Sequence, residues 1–281
     1  MKKLKDFVHT VKFHLSEYLF EVFNDAKNGD EFYTTLKDIE NGLSYFNFNG
    51  KIIYCNCDNP SFSNFYKYFK ENFDKLGIKK LIATYYSDKP EVVIYNGKDE
   101  EHTPIKSGRF QDNQQYMKEC NIVVTNPPYS DGMPAELVEL CYKNGCDFIF
   151  VGPLHLCKNK RVIGYIKDNK LFSVPATVNK FERPNGSFMN APACWYTSIE
   201  VKMPKFEFVK KYNADEYPKY DNYDAIECKE SKNIPEDYKG NIGVPYRFFT
   251  KFNREQFELV NCIIPKLNGK TLMDRYIIKI K

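Results

Sequence analysis

Short runs of β-branched and aromatic residues recur along the first two-thirds of the chain and predict the strands of a sheet. One run, 122–124, is followed closely by Pro127 and Pro128, which end it because proline has no amide hydrogen for a sheet ladder. Another run, 91–95, leads into Asn-Gly, a dipeptide typical of hairpin turns. The predicted strands cover residues 50–58, 79–86, 91–95, 122–124, 147–152, 171–178 and 194–201.

Between these runs, apolar residues at helical spacing predict helices. The predicted helices cover residues 4–27, 36–40, a segment that begins near Ser61 or Ser63, and 134–144. Residues 98–116 are polar and are expected to form a loop. The alternation of strands and helices predicts an α/β fold with a doubly wound, mostly parallel sheet of the Rossmann type.

The pattern changes after residue 202. Residues 203–240 are rich in Lys, Asp, Tyr and Pro and show little periodicity. A strand or turn at 243 is expected to lead into a helix docked by Phe257 and Leu259, and residues 267–281 are expected to form a hairpin. We therefore predict two parts, residues 1–202 and a small C-terminal α+β extension at 203–281.

The most informative stretch is Asn126-Pro127-Pro128-Tyr129, directly after the predicted strand 122–124. The carboxyl ends of strands are where open α/β sheets bind their ligands. The two prolines leave this backbone poor in donors, Asn126 adds an acceptor, and Tyr129 adds a flat ring. Such a site suits a planar base with an exocyclic amine. An ordinary turn is the alternative, since Asn-Pro also favours turns.

This tetrapeptide resembles the catalytic motif of S-adenosylmethionine-dependent N6-adenine methyltransferases. The resemblance implies that Asn126 and the Pro127 carbonyl hold the target amine, that Pro128 fixes the turn, and that Tyr129 stacks on the base. Relatives that methylate rRNA or a glutamine side chain carry the same tetrapeptide. The motif alone therefore leaves RNA and protein substrates open.

A second stretch, Glu31-Phe32-Tyr33-Thr34, resembles the motif with which adenine methyltransferases hold the methionine part of the cofactor. The resemblance implies cofactor contacts for Phe32, Tyr33 and Thr34. Thr35 stands where many relatives have proline. The alternative is a helix cap, with Thr34 or Thr35 as the N-cap and Asp38 in the first turn.

The third stretch is Cys55-Asn56-Cys57-Asp58-Asn59-Pro60. It has no glycine, unlike the cofactor turn of most methyltransferases, but it is similar to the EcoRI-type adenine-specific DNA methyltransferases. That resemblance implies that Cys57, Asp58, Asn59 and Asn126 contact the cofactor, unless Asp58 only caps the turn. The segment 243–259 also resembles a C-terminal motif of this family. No acidic residue ends the predicted strand 79–86, and Asp112 is a candidate for the cofactor's adenine or a solvated loop acid.

The family resemblance implies transfer of a methyl group from S-adenosylmethionine to an adenine flipped out of duplex DNA. A cognate restriction endonuclease is a possible partner. A methyltransferase acting on RNA or protein, or a non-catalytic DNA-binding relative, remains an alternative. Exposed cations are weak candidates for phosphate contacts. These are Lys158, Lys160, Arg161, Lys180 and Arg183.

Composition adds little to this interpretation. The formal net charge is +4 over 281 residues, which is compatible with nucleic-acid binding but too small to indicate it. The nine cysteines lack the spacing of a zinc site, so we expect free thiols and no metal. No apolar leader or membrane-spanning run is present, and a cytoplasmic protein without membrane contact is expected.

Overall fold

The computed structural model describes residues 33–178, 180–183 and 186–281. The predicted helix 4–27 and the candidate residue Phe32 lie outside the described residues. The strands are β1 (Tyr33–Thr34), β2 (Ile52–Cys55), β3 (Lys80–Thr84), β4 (Glu91–Tyr95), β5 (Glu100–Pro104), β6 (Ile122–Thr125), β7 (Asp147–Pro153), β8 (Phe172–Ser173), β9 (Phe181–Glu182), β10 (Phe188–Met189), β11 (Ala193–Thr197), β12 (Ile226–Glu227), β13 (Ile242–Pro245), β14 (Phe257–Ile263), β15 (Lys266–Leu267), β16 (Lys270–Thr271) and β17 (Arg275–Ile280). The α-helices are α1 (Leu36–Leu43), α2 (Asn64–Glu71), α3 (Phe73–Leu76), α4 (Gln114–Glu119), α5 (Met133–Asn144) and α6 (Ile163–Lys167).

Eight strands form one large sheet in the order β5-β4-β3-β2-β6-β7-β11-β8. The four central strands β3, β2, β6 and β7 are parallel to one another. The outer strands on both sides pair antiparallel. The mixed α/β fold is confirmed, but the expectation of a mostly parallel sheet is corrected to a mixed one. Strand β5 also corrects the loop expected over 98–116.

The chain reverses its direction across the sheet between β2 and β6. From β2 it continues outward through β3, β4 and β5, and it then returns to place β6 on the other side of β2. Such a reversal opens a crevice at the carboxyl ends of the two strands, because their following loops diverge to opposite sides. The segments that leave this crevice begin at Asn56 and Asn126.

Local sequence explains the helix that follows β2. Ser63 is the N-cap of α2, and its hydroxyl accepts hydrogen bonds from the amides of Phe65 and Tyr66. The same two rings and Phe69 are buried at helical spacing against the sheet. This confirms the second of the two predicted helix starts.

A three-stranded antiparallel sheet in the order β1-β9-β10 lies beside the large sheet. Thr34 pairs with Phe181, and Tyr33 pairs with Glu182. Strand β9 is the central strand of this sheet and pairs with both β1 and β10. The sheet therefore brings the segment that resembles a cofactor motif next to a hairpin far along the chain.

The C-terminal part forms a second sheet in the order β12-β13-β17-β14. The helix expected near Phe257 and Leu259 is wrong, because this segment is strand β14. Both side chains are buried and Glu258 between them is exposed, which is the alternation of a strand. The expected tail hairpin over 267–281 is confirmed only at its turn, where β15 and β16 pair around Asn268 at φ 49° and Gly269 at φ 74°. The rest of that segment is corrected, because β17 pairs with β13 and β14 instead.

The large sheet and the C-terminal part share one hydrophobic cluster. Tyr196 on β11 stacks between Phe150 on β7 and Phe249 of the C-terminal part, with ring centroids 5.2 and 5.3 Å apart. This cluster spans the predicted boundary at 202/203, and the division into two domains stays a prediction.

Polar side chains of the segment 243–259 also join the two parts. Asn253 donates hydrogen bonds to the carbonyls of Met203 and Pro204. Gln256 exchanges two hydrogen bonds with the backbone of Phe206, at 2.6 and 3.0 Å. Arg254 donates to the carbonyl of Ile166 at 2.8 Å. These contacts give the C-terminal motif a structural role, which is to fix residues 203–206 and the end of α6.

Candidate active site

The tetrapeptide begins directly after β6, at the reversal point of the sheet. Asn126 is half-buried, Pro127 is buried and Pro128 is exposed. Tyr129 is half-buried, and its ring contacts the edge of Phe181 with centroids 6.4 Å apart. Burial raises the pKa of the Tyr129 hydroxyl well above its usual value, so the phenol stays neutral. The tetrapeptide thus presents acceptors and a neutral ring at the edge of the sheet.

A tight turn holds the tetrapeptide in place. After Tyr129, Asp131 and Gly132 both take left-handed conformations, with φ of 52° and 73°. A non-glycine residue in this region is uncommon and mildly strained. Helix α5 then begins at Met133, with Pro134 in its first turn, where proline's fixed φ suits a helix start.

Asp58, in the segment after β2, forms hydrogen bonds that connect β2 to β6 at the point where the strand order reverses. Its carboxylate accepts hydrogen bonds from the hydroxyls of Ser63 at 2.6 Å and Thr125 at 2.7 Å. Its amide donates to the carbonyl of Thr84 at 3.2 Å. Asp58 is only 5% exposed. The carboxylate therefore connects the ends of β2 and β6 and the N-cap of α2, so at least part of its role is structural. Its contact with a cofactor stays a prediction.

Cys57 and Asn59, on either side of Asp58 in the sequence, differ in burial and in hydrogen bonding. Burial and the Asp58 charge raise the pKa of the Cys57 thiol far above its usual value, so this thiol is not a nucleophile at neutral pH. The side-chain oxygen of Asn59 accepts a hydrogen bond from the amide of Ser61 at 2.9 Å. Asn59 therefore shapes the turn between β2 and α2.

The segment 33–35 reaches the same region through α2. Asn64 in the first turn of α2 donates a hydrogen bond of 2.9 Å to the carbonyl of Thr34. Thr35 is the N-cap of α1 and accepts from the amide of Asp38 at 3.2 Å, which confirms the capping interpretation for that residue. Thr34 is 1% exposed. Tyr33 is half-buried and lies on the other face of β1.

Asn56 was missed by the sequence analysis. It is 0% exposed, and neither its side-chain oxygen nor its nitrogen forms a hydrogen bond within the described part of the chain. The hydroxyl of Thr34 is also buried without a hydrogen-bond partner in the described part of the chain. A buried polar group without a partner costs about 1–3 kcal/mol. Orphaned groups near a crevice therefore point to a polar ligand that completes them.

Two more residues near this edge had no assigned role. Tyr86, just past β3, has an aromatic side chain that is 80% exposed. A Cβ added at Gly108 would lie 2.0 Å from the Tyr85 carbonyl oxygen, so only glycine allows this approach. The close contact brings the segment before Asp112 against the end of β3. The two adjacent tyrosines at 85 and 86, at the end of a predicted strand, are the feature of the sequence that could have pointed to this edge.

Asp112 lies on a short 3-10 turn, Phe110–Asp112, and is exposed. Its carboxylate accepts a hydrogen bond of 2.7 Å from the Ser107 hydroxyl. This geometry is that of a solvated acid in a turn, and a cofactor contact for Asp112 stays a prediction.

Some of the candidate phosphate-binding cations are engaged within the protein. Lys158 forms an ion pair of 2.5 Å with Asp274, and Arg161 pairs with Glu139 on α5. Lys160 is exposed. On the small sheet, the Lys180 ammonium lies 3.8 Å from the ring centroid of Phe188. Arg183 is half-buried. A phosphate role for any of them stays a prediction.

All nine cysteines are free, and seven of them are buried. Within the described residues, no group of three or more His, Cys, Asp or Glu side chains could hold a metal ion. None of the helices in the described ranges is long and apolar enough to span a bilayer.

Comparison with known proteins decides the family. A family model described as adenine-specific methyltransferase EcoRI matches residues 20–111 and 98–278. The chain belongs to this family. Its relatives include the type II methyltransferase M.EcoRI of Escherichia coli, 37% identical over 279 positions that cover 82% of this chain and 85% of the relative.

Two other relatives of this chain come from mycoplasmas. The type II methyltransferase M.MgeORF184P of Mycoplasma genitalium is 32% identical, with 86% of each chain covered. The type II methyltransferase M.MpnI of Mycoplasma pneumoniae is 31% identical, with 86% of this chain and 85% of the relative covered. The comparison with solved structures found no match. The predicted family and the methyltransferase activity are therefore confirmed.

An EcoRI-family methyltransferase needs a methyl donor, which is generally S-adenosylmethionine. The residues at the reversal point fit such a donor. Thr34 and Asn56 supply orphaned polar atoms, and aromatic side chains suit a sulfonium cation. The donor carries no phosphate, so the missing glycine-rich phosphate turn is no obstacle.

Proposed function

We propose that this protein is an S-adenosylmethionine-dependent DNA methyltransferase that modifies N6 of adenine in a specific sequence of duplex DNA. The proposal includes a Rossmann-like catalytic part at 1–202 and a target-recognition extension at 203–281. The observation that carries it is the position of Asn126, which starts the loop after β6 where the sheet reverses its strand order. A cytoplasmic location is proposed with it.

The tetrapeptide supplies the chemistry of activation. The amine of adenine is a poor nucleophile because its lone pair is delocalised into the ring. The Asn126 side-chain oxygen and the Pro127 carbonyl would accept its two hydrogens, which favours a pyramidal nitrogen with an available lone pair. Preorganised dipoles of this kind commonly supply a large share of catalysis. The ring of Tyr129 would stack on the base, which is worth about 1–3 kcal/mol.

The cofactor would lie between the segments after β1 and β2. S-adenosylmethionine, when bound, supplies a methyl group on a positively charged sulfur. Tyr33 would provide an aromatic neighbour, and Thr34 and Asn56 would provide polar contacts. Asp58 would hold these segments against β6 through Ser63 and Thr125. Phe32, Cys57, Asn59 and Asp112 are the further proposed contacts.

Proton removal does not require a strong base in this proposal. The nitrogen becomes acidic once it is methylated, and its extra proton can pass to water. The pKa of the nearby Cys57 thiol is raised by burial, so that thiol stays protonated. Because the target adenine is stacked inside the duplex, it must be flipped out, at a cost of a few kcal/mol.

The alternatives differ in substrate or in activity. RNA and protein remain possible substrates of an Asn-Pro-Pro-Tyr enzyme, and a non-catalytic DNA-binding protein would need neither cofactor nor Asn126. The names of the relatives as type II methyltransferases favour a modification enzyme, for which a cognate endonuclease is the natural partner.

The decisive experiment is to sequence DNA from cells that express the wild-type protein or its Asn126→Ala variant, with a method that detects N6-methyladenine. We expect methylation at one sequence in the wild type alone. Purified protein should transfer radiolabelled methyl groups to duplex DNA rather than to tRNA, rRNA or protein. Methyl transfer only to RNA or protein would show that DNA is not the substrate. Absence of cofactor binding by calorimetry would favour the non-catalytic alternative.

A further inference from the structure

The connection between β14 and β17 carries a small two-stranded ribbon, β15–β16. The last pair of the β14–β17 hairpin is Ile263 with Arg275, and residues 264–274 extend beyond it. Within this connection, β15 and β16 pair only with each other and form a sheet separate from the four-stranded one. The ribbon is therefore an appendage at one end of the C-terminal sheet.

Two contacts tie the base of the ribbon to the segment that follows β7. The Tyr276 hydroxyl donates a hydrogen bond of 2.6 Å to the carbonyl of Cys157, and the Lys158 ammonium pairs with Asp274 at 2.5 Å. Cys157 and Lys158 belong to the 3-10 turn Leu154–Lys158, which begins where β7 ends. The base of the ribbon thus lies beside the carboxyl end of β7.

That end of β7 lies at the same edge of the large sheet as the tetrapeptide, because β6 and β7 are parallel. Thr125 at the end of β6 pairs with Phe150. Strand β7 continues to Pro153, about 10 Å further along the sheet at the usual rise per residue. In the proposed function the target base must reach Asn126 at this edge. The duplex that carries the base therefore meets the edge beside which the ribbon stands.

Hydrogen bonds hold the ribbon in one conformation although most of it is exposed. The Asp221 carboxylate accepts from the amides of Asn268 and Gly269 at 3.1 and 2.7 Å. The Lys266 amide donates to the side-chain oxygen of Asn222 at 2.7 Å. An isolated two-stranded hairpin is marginally stable in water. These contacts therefore stiffen an element that its own pairing would leave loose.

The outer face of the ribbon carries groups that suit base edges. Leu267 is half-buried and packs on the cluster around Ile277, so it marks the inner face. The next pair, Lys266 with Thr271, lies on the outer face, because successive strand residues alternate in direction. Both are exposed, as is Asn268 in the turn. In the major groove Lys pairs with guanine, Asn pairs with adenine, and Thr pairs with either.

The charge of the ribbon also suits nucleic acid. Residues 264–273 contain two lysines, Lys266 and Lys270, and no acidic residue. Two carboxylates contact this region. Asp221 is engaged by the amides of the turn, and Asp274 is neutralised by its ion pair with Lys158. A duplex therefore meets exposed ammonium groups here.

We infer that the ribbon β15–β16 enters the major groove of the substrate DNA and determines part of the recognition sequence, with Lys266, Asn268 and Thr271 as the base-contacting residues. This role rests on the proposed function and narrows target recognition within 203–281 to one element. The major groove, about 12 Å wide, admits a two-stranded β-ribbon, and other DNA-binding proteins use strands in this way.

The test compares Asn268→Gly and Lys266→Ala with the wild type on the duplex sequence that sequencing identifies as methylated. Asn268→Gly removes the carboxamide and keeps the turn, because glycine readily adopts a positive φ. We expect kcat/KM on this duplex to fall by about 5–150-fold in each variant, the effect of one lost base contact. Sequencing of DNA from cells that express each variant should show methylation at sites that differ from the wild-type site at one position.

Lys98→Ala is the matched control. Lys98 is exposed in the turn of the β4–β5 hairpin. Because β4 is antiparallel to β3, this turn lies at the opposite edge of the large sheet. The control should keep the wild-type kcat/KM and recognition sequence.

The outcomes separate the role of the ribbon from the proposed function. Wild-type kcat/KM and an unchanged recognition sequence in both ribbon variants would overturn the inference and leave the proposed function intact. Equal losses on every duplex sequence would indicate phosphate contacts only and would also overturn it. A wild-type protein that methylates no duplex would overturn both. The melting temperature and the affinity for S-adenosylmethionine should match wild type in both variants, because the side chains removed are exposed; a lowered melting temperature with an unchanged recognition sequence would assign them a structural role instead.

Discussion

The Asp58 carboxylate accepts a hydrogen bond of 2.7 Å from the Thr125 hydroxyl, across 67 positions of sequence. Thr125 is the last residue of β6, directly before Asn126, and Asp58 lies in the segment between β2 and α2. Both side chains are buried. One carboxylate therefore fixes the start of the proposed catalytic tetrapeptide relative to the proposed cofactor turn. Hydrogen bonds to a charged partner are the stronger kind.

The first prediction concerns the hydrogen bond between Asp58 and Thr125. Thr125→Val removes one hydroxyl without changing the shape of the side chain, and we expect the free energy of unfolding to fall by about 1–3 kcal/mol. Asp58→Asn should cost a similar amount. The double variant should lose less than the sum, by at least roughly 0.5 kcal/mol, because the two residues share one interaction. Urea unfolding of the wild type, the two single variants and the double variant measures this coupling. Strict additivity of the two losses in unfolding free energy would show that Asp58 and Thr125 do not share an interaction.

The second prediction concerns Asn126. Asn126→Ala should lower kcat by about 10²–10³ or more, because it removes an acceptor aligned for the transition state. The fold and the affinity for S-adenosylmethionine should change little. Single-turnover methyl transfer, circular dichroism and calorimetry test these three outcomes. Normal kcat in a folded variant would exclude Asn126 from catalysis.

The third prediction separates the ring of Tyr129 from its hydroxyl. That hydroxyl forms no hydrogen bond within the described residues, so Tyr129→Phe should keep activity and should not lower stability. Tyr129→Ala should lose both activity and stability, since it removes the contact of this half-buried ring with Phe181 and costs about 0.5–3 kcal/mol. Thermal melting and methyl transfer distinguish the two variants, and equal effects would contradict the stacking role.

The fourth prediction uses Asn56 to test the cofactor site without measuring activity. Asn56→Leu replaces a buried carboxamide that has no hydrogen-bond partner in the described chain. The melting temperature without cofactor should stay equal or rise, because an unsatisfied polar group is removed. The affinity for S-adenosylmethionine should fall by roughly tenfold, which is about 1.4 kcal/mol. Unchanged affinity by calorimetry would remove Asn56 from the cofactor site.

The fifth prediction concerns the C-terminal motif. Asn253→Ala removes two hydrogen bonds from a buried side chain to the carbonyls of Met203 and Pro204 and should cost about 1–3 kcal/mol, or several degrees in melting temperature. Methyl transfer per folded molecule should stay near wild type at low temperature. Glu255→Ala, at the neighbouring position, is the control and should be nearly neutral. A catalytic defect in folded Asn253→Ala would assign the motif a role in the reaction.

The central strands and the tetrapeptide were predictable because local sequence determines them. The run 122–124 is wholly apolar and prolines end it, so both the strand and its carboxyl end follow from the residues. The start of α2 at Ser63 follows from its side chain in the same way. Thr35, the N-cap of α1, was one of the two residues predicted for that position, the other being Thr34.

Other features depend on contacts that a local pattern does not contain. Strand β5 is exposed along its whole length, so its pairing with β4 defines it and burial gives no periodic signal. Residues 257–259 of strand β14 alternate between buried and exposed, but Phe257 and Leu259 were expected to dock a helix, and so short an alternation does not exclude one. The Asp58–Thr125 contact and the orphaned Asn56 amide depend on distant segments, which only the folded chain brings together.

The stacked rings Phe150, Tyr196 and Phe249 carry an evolutionary consequence. A C-terminal part that shares its interior with the catalytic sheet cannot be exchanged between relatives as a cassette, because each half would present unmatched aromatic surfaces to the other. If residues 203–281 read the DNA sequence, as proposed, new recognition sequences would arise by substitution at exposed positions, one side chain at a time, while the interior stays constant.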